Sequence, residues 1–266
     1  MRAAVLGSPI AHSLSPLLHR AAYDALGLPD WSYDAVEMVP AGLPEWLAGL
    51  GPDWAGVSLT RPLKQAVLPL LSSRSHLVEV TGVANTVVLL GGRRHGENTD
   101  VAGIVAALRE VGVTTCSRGA VLGAGATAAS ALAAFHELGA HQVRVLGRSP
   151  ERVRALQPVA DALGIELRIG ELHPLEVEDR WATVVVSTTP AGALDGFAAQ
   201  SDPGPDAPVL LDVVYAPWPT PLAAVYAAAG GVVVGGAAML LHQAAAQVEL
   251  MTGHAAPLEA MRASLP

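Results

Sequence analysis

Residues Ala120–Ser130 read "AVLGAGATAAS": a hydrophobic run, then Gly123, Ala124, Gly125, Ala126, Thr127 and Ala128, then further small residues. A strand that turns tightly into a helix accounts for the pattern. Gly123 permits the turn, Gly125 lets a pyrophosphate approach the backbone, and Ala128 lets the helix pack on the strand. The N–H groups at the helix start are free to receive phosphate charge. A glycine-rich turn can serve geometry alone. This one lies between a strand and a helix with a second strand following, and that context argues for dinucleotide binding.

The end of the second strand says which dinucleotide. "VRVLGRSPER" (Val143–Arg152) has no carboxylate where an NAD site would hold the ribose 2′-hydroxyl; it has Arg148 and Ser149, with Arg152 one helical step on. A guanidinium and a hydroxyl suit a 2′-phosphate, so NADP is expected rather than NAD. "VVVSTTPAG" (Val184–Gly192) is another strand whose polar carboxyl end, Thr188 included, lies where open α/β sheets place ligands.

Short β-type runs alternate with Ala/Leu-rich helical runs along the whole chain, the signature of βαβ units and an α/β fold. Strands are expected at Ala3–Leu6, Ser32–Val36, Gly56–Leu59 and Thr86–Leu90, then at Gly119–Leu122, Gln142–Leu146, Leu167–Ile169, Thr183–Ser187, Val209–Val213 and Val232–Val234. Helices are expected at Pro16–Ala25, Leu43–Leu50, Lys64–Leu71, Val101–Val111, Thr127–Leu138, Glu151–Leu163, Pro221–Ala228 and Ala237–Thr252. Boundaries near Gly103 and Gly236 divide the chain into two domains, residues 1–103 with 237–266 and residues 104–236.

Composition narrows the class. The 266 residues are 51% hydrophobic but only 4% aromatic, which suits helices packed closely on a parallel sheet. A net charge of −8 argues against a nucleic-acid surface. The single cysteine, Cys116, can form neither an internal disulfide nor a multi-thiolate metal site and fits a reducing cytosol. "MRAAVLG" lacks the pattern of a signal peptide, and Gly230–Leu241 is too short to span a bilayer. A cytoplasmic protein without membrane or nucleic-acid partners is expected. The nine histidines form no metal set; His12 and His19 are seven residues apart, a poor ligand spacing, so no metal is expected.

"VSLTRPLK" (Val57–Lys64) ends in Lys64, the only lysine among 16 Lys and Arg residues. Arginine holds its proton at ordinary pH, whereas a desolvated ammonium can release and retake one. A proton carrier would explain the lysine; chance in an arginine-rich chain is the plain alternative. Other polar groups gather at element ends. "GSPIAHSLSPLLH" (Gly7–His19) places Ser15 before Pro16, the arrangement of an N-cap, and leaves Ser13 unexplained. "GVANTVV" (Gly82–Val88) puts Asn85 at a strand start, and "GENTDVAGI" (Gly96–Ile104) puts Asn98, Thr99 and Asp100 before a helix.

In this order, with "DVVYAPWPTPL" (Asp212–Leu222) and "GGAAMLLHQAAAQ" (Gly235–Gln247), these stretches closely resemble the shikimate dehydrogenases over nearly the whole chain. The resemblance implies an α/β substrate-binding domain built from both chain ends plus a Rossmann-type doubly wound parallel sheet between them. It implies NADPH-dependent, reversible reduction of 3-dehydroshikimate to shikimate in aromatic amino acid biosynthesis, by a monomer or homodimer. Carried over by position, Lys64 and Asp100 match the catalytic pair. Ser13 and Ser15 match the substrate-carboxylate site, with the Tyr215 hydroxyl as helper. Thr60, Asn85 and Gln243 match residues that bind ring hydroxyls, and Gly236 and Met239 match positions beside the nicotinamide. Ser58, Gly147 and Ser187 depart from the family pattern, where asparagine is common. Two rival readings stay open: a paralogue acting on quinate or another polyol, with NAD included, and a non-catalytic regulator that binds NADP or a metabolite.

Overall fold

The computed structural model describes residues 1–172 and 181–266. The chain forms two compact units, Met1–Gly103 with Leu240–Pro266, and Ile104–Met239.

The first unit carries a mixed sheet of β1 (Arg2–Gly7), β2 (Ser32–Glu37), β3 (Trp54–Leu59), β4 (Ser73–Arg74), β5 (Thr86–Leu90) and β6 (Arg93–Glu97), in the order β2-β1-β3-β5-β6-β4. β1 runs parallel to both β2 and β3, whereas β5 is antiparallel to β3 and β6. Every residue of β3 is buried, as a strand covered on both faces must be. The helices α1 (Ser15–Ala25), α2 (Leu43–Ala48), α3 (Leu63–Ala66) and α4 (His76–Thr81) follow in chain order. Leu18, Ala22, Leu241, Ala244, Val248 and Met261 belong to one apolar cluster of this unit, which joins the two ends of the chain.

The second unit carries β7 (Arg118–Leu122), β8 (Gln142–Gly147), β9 (Glu166–Glu171), β10 (Val184–Ser187), β11 (Val209–Asp212) and β12 (Val233–Gly235). Their order, β9-β8-β7-β10-β11-β12, is parallel throughout and reverses between β7 and β10. That is the doubly wound arrangement in which ligands bind at the carboxyl ends flanking the reversal. Helix α5 (Thr99–Glu110) begins in the first unit and ends in the second. There α6 (Ala126–Glu137), α7 (Pro150–Arg154), α8 (Gln157–Leu163), α9 (Asp195–Ala198) and α10 (Pro221–Ala228) follow; α11 (Gly236–Thr252) crosses back, and α12 (Leu258–Ala263) closes the chain.

Two expected helices are interrupted by proline. Lys64–Leu71 ends its α-helix at Ala66 and continues as a 3-10 turn, Leu68–Leu70, around Pro69. Glu151–Leu163 divides into α7 and α8, with Pro158 in the first turn of α8. In both cases a proline lacks the N–H the helix needs and crowds the carbonyl four residues back. The strand β6 was not expected from its polar sequence "RRHGE"; Gly91 and Gly92, both at positive φ, turn the chain into it and pair it with β5.

Candidate active site

The polar residues of the first unit meet because three chain segments end together. β1 ends at Gly7, and a Cβ there would fall 2.3 Å from the Thr60 methyl and 2.9 Å from the Arg61 carbonyl, so only glycine admits the β3 exit at this point. Thr60 N–H donates to the Leu6 carbonyl at 2.9 Å, and the half-buried Thr60 then leads through Arg61 and Pro62 into the short helix that carries Lys64. The Lys64 carbonyl accepts the Ala84 N–H at 2.9 Å, which brings the segment before β5 alongside.

Lys64 Nζ donates to Asp100 Oδ2 at 2.5 Å, with side-chain exposures of 13% and 5%. Asp100 stands in the first turn of α5, where a carboxylate is favoured by the helix dipole. Its other oxygen, Oδ1, accepts Asn85 Nδ2 at 2.9 Å. The Asn85 amide is oriented by Thr99, whose backbone N–H donates to Asn85 Oδ1 at 2.8 Å. A backbone N–H can only donate, so the oxygen end of the amide is fixed and Nδ2 must face Asp100. Nδ2 also reaches Gln243 Oε1 at 3.3 Å, while Gln243 Nε2 donates to the Leu240 carbonyl. The structure thus brings Lys64, Asp100, Asn85 and Gln243 into one hydrogen-bonded set.

The serines have different surroundings from those expected. Helix α1 starts at Ser15 itself and the position before it is Leu14, so Ser15 is not the N-cap. Ser13 supplies the capping contact: its Oγ accepts the Ser15 N–H at 3.3 Å. The buried Ser15 hydroxyl has no hydrogen-bond partner among the described residues. Glu37 at the end of β2 clamps the preceding loop, taking the Ser8 hydroxyl at 2.5 Å and the Ile10 N–H at 2.9 Å. Helix α5 likewise starts earlier than expected, at Thr99, so Thr99 and Asp100 are helical and Asn98 alone precedes it.

In the second unit Gly123 has φ +109°, and a Cβ on it would meet Thr188 Oγ1 at 2.6 Å. Gly125 is the residue before α6, and a Cβ there would meet nothing within 4 Å. The glycine turn, with Ala124, Ala126 and Thr127, therefore opens a space in front of a helix of 12 residues whose start has no side-chain cap. Arg148 and Arg152 are exposed beyond it in sequence, at the end of β8 and in α7. These features fit a dinucleotide with a 2′-phosphate. Two predicted ligands have their hydroxyls engaged within the chain: Thr188 donates to the Leu122 carbonyl at 3.0 Å, and Ser149 donates to Glu151 Oε2 at 2.8 Å while accepting the Arg152 N–H. Tyr215, Gly236 and Met239 all belong to the second unit. Burial raises the Tyr215 phenol above its ordinary value, Gly236 N–H donates to the Val214 carbonyl, and Met239 is buried.

Residues 5–87 match the model of the shikimate dehydrogenase substrate binding domain, and residues 236–265 match that of the shikimate 5′-dehydrogenase C-terminal domain. The shikimate dehydrogenase (NADP(+)) of Methanothermobacter thermautotrophicus is 33% identical over 98% of this chain and 94% of its own length. The chain belongs to the shikimate dehydrogenase family. The Mycobacterium tuberculosis shikimate dehydrogenase superimposes with a TM-score of 0.89 at 43% identity, covering 99% of this chain and 97% of that one. The Thermus thermophilus enzyme, solved in complex with NADP(H) and shikimate, gives 0.85 at 33% identity over 99% and 98%. These likenesses support the α/β fold of this shikimate dehydrogenase family member across both units.

Sequence reasoning does not place Thr86, Gln247, Tyr33 or His19 behind the set, and it marks Ser58 only as a departure from the family pattern. One signal was present, since Gln247 lies four residues after Gln243 and so on the same face of α11. Among the described residues no group of three or more His, Cys, Asp or Glu side chains could hold a metal, and no helix is long and apolar enough to cross a membrane.

Proposed function

We propose that this protein is an NADP-dependent shikimate dehydrogenase, reversibly reducing 3-dehydroshikimate to shikimate on the route to aromatic amino acids, in the cytoplasm. The observation that carries the reading is the part-buried contact between the chain's only lysine and Asp100, inside a set that also holds Asn85 and Gln243. NADPH supplies the hydride for the C3 ketone when bound. Lys64 donates a proton to the oxygen that becomes the hydroxyl, and in the oxidative direction its neutral amine takes that proton back. Asp100 orients the ammonium and accepts a neighbouring ring hydroxyl. Asn85, Gln243 and Thr60 offer amide and hydroxyl groups to the remaining ring oxygens. Ser13 and Ser15 receive the substrate carboxylate; the Ser15 hydroxyl, unpartnered among the described residues at the start of α1, supports that role.

The Lys64–Asp100 pair speaks against a silent regulator, which has no use for a proton carrier. The test is the ultraviolet absorbance of reduced dinucleotide, followed with purified protein and shikimate or quinate, each with NADP+ and with NAD+. Turnover with shikimate and NADP+ is expected to exceed the other three combinations. Preference for quinate or for NAD+ refutes the assignment in favour of the paralogue, and no turnover by folded protein refutes the enzyme reading.

A further inference from the structure

We propose that Thr86 and Gln247 are positioning residues of the reaction, acting on Asp100 through the Asn85 amide; this rests on the function proposed above. The residues form a chain of hydrogen bonds that all run one way. The Tyr33 hydroxyl donates to Ser58 Oγ at 2.6 Å, and Ser58 Oγ donates to Gln247 Oε1 at 2.8 Å. At the other end of the same amide, Gln247 Nε2 donates to Thr86 Oγ1 at 2.9 Å, and Thr86 Oγ1 donates to Asn85 Oδ1 at 2.9 Å. Asn85 Nδ2 then donates to Asp100 Oδ1, and Asp100 Oδ2 holds Lys64. All of these groups lie within the first unit, and Tyr33, Ser58, Gln247, Thr86 and Asn85 are at most 4% exposed.

The direction is set by chemistry at both ends. An ionised Asp100 can only accept, so the terminal donor must be the Asn85 NH2. A hydroxyl has one hydrogen. Thr86 can spend its hydrogen on Asn85 because Gln247 presents the nitrogen end of its amide; were Gln247 turned over, its oxygen would claim that hydrogen. The oxygen end of Gln247 is in turn held by two groups, Ser58 and His19 Nε2, the latter at 3.2 Å. Each bond polarises the next, so donation into Asp100 is strengthened by groups that touch no substrate. Gln243 and Gln247, one turn apart on α11, thus divide the work. The first meets the Asn85 amide directly, and the second fixes how that amide is supplied.

The test uses the full chain with Thr86→Val, which keeps the shape and removes the hydroxyl, Gln247→Met, and Thr86→Ser as the conservative replacement. kcat/KM for shikimate is expected to fall about tenfold in the first two and to stay within about twofold of the parent in Thr86→Ser. In an Asn85→Ala background Thr86→Val should cost less than about twofold, because residues that act through one another are not additive. A readout independent of turnover is the side-chain amide NMR resonance of Asn85, which should move in Gln247→Met and return to the parent position in Thr86→Ser. Parent-like kcat/KM in Thr86→Val and Gln247→Met, an equal loss with and without Asn85, or an unmoved Asn85 resonance overturns the proposal. Should Thr86→Val not fold, Gln247→Met alone and combined with Asn85→Ala decides on the same criteria. A parent chain that leaves shikimate and NADP+ unreacted refutes the function instead, and the Asn85 resonance still judges the hydrogen-bond chain.

Discussion

Lys64 Nζ lies 2.5 Å from Asp100 Oδ2, although the two residues are 36 positions apart and sit on different helices. The contact holds the ammonium in place while leaving it able to donate. Lys64→Ala should fold and lose about 10²–10⁴-fold in kcat, the range a positioned acid–base group contributes. Lys64→Arg keeps the charge but cannot transfer the proton at ordinary pH, so it should recover substrate affinity and not rate. Steady-state kinetics with shikimate distinguish the two, and an arginine variant that turns over like the parent would end the proton-carrier argument.

The two glycines of the turn proposed to hold the dinucleotide should respond differently to alanine. At Gly125 the backbone is extended, φ −102° and ψ −167°, and the added methyl meets no protein atom within 4 Å. Gly125→Ala should therefore melt near the parent temperature while weakening NADP+ about tenfold, since the methyl occupies the space offered to the pyrophosphate. Gly123→Ala meets Thr188 and a left-handed backbone, so it should lower the melting temperature as well. Thermal melts paired with NADP+ titrations read both. A Gly125→Ala protein that binds NADP+ normally would remove the turn from the cofactor site.

What sequence made legible was whatever local chemistry announces. Alternation of apolar runs shows the six strands of the second unit in order but not the short helix α9, and the glycine turn shows the entry from β7 into α6. Lys64 stood out through its rarity and Asp100 through its motif. The hairpin into β6 is hidden because "RRHGE" carries charge where a buried strand would not, and Ser15 looks like a cap because a Ser-Pro pair reads the same one position either way. Residues such as Thr86, Gln247 and Tyr33 have ordinary compositions. They matter only through hydrogen bonds that span 161 positions between Gln247 and Thr86 and 189 between Gln247 and Ser58. No local pattern encodes pairs so far apart.

Glu151 sets a prediction for cofactor choice. It is exposed, takes the Ser149 hydroxyl at 2.8 Å, and is held below the usual carboxylate range first by that bond. An ionised acid beside Ser149 competes with a 2′-phosphate for the hydroxyl and repels its charge. Glu151→Gln should lower KM for NADPH roughly two- to fivefold, the size exposed charge interactions carry, and leave KM for NADH unchanged. Equal changes for the two cofactors would show that Ser149 and Glu151 do not face the 2′ position. The effect should fade in high salt.

His19 predicts how stability depends on pH. It is fully buried, stacks on Tyr33 with ring centroids 3.8 Å apart, and donates from Nε2 to the Gln247 oxygen. Its Nδ1 has no partner among the described residues, so protonation would place an N–H there without an acceptor. Burial accordingly lowers the imidazole from 6.5 to about 3. Between those values the unfolded chain binds a proton that the native state refuses. Stability is therefore intact above the unfolded value and falls as pH drops below it, by at most about 1.4 kcal/mol per pH unit. His19→Gln retains a donor for Gln247 and removes the titration. In urea melts between about pH 7.5 and about pH 5, the parent should lose up to about 2 kcal/mol more than the variant. Parallel losses in the two proteins would mean that His19 takes up its proton in the folded state after all, and that the ring can turn Nδ1 toward an acceptor or water.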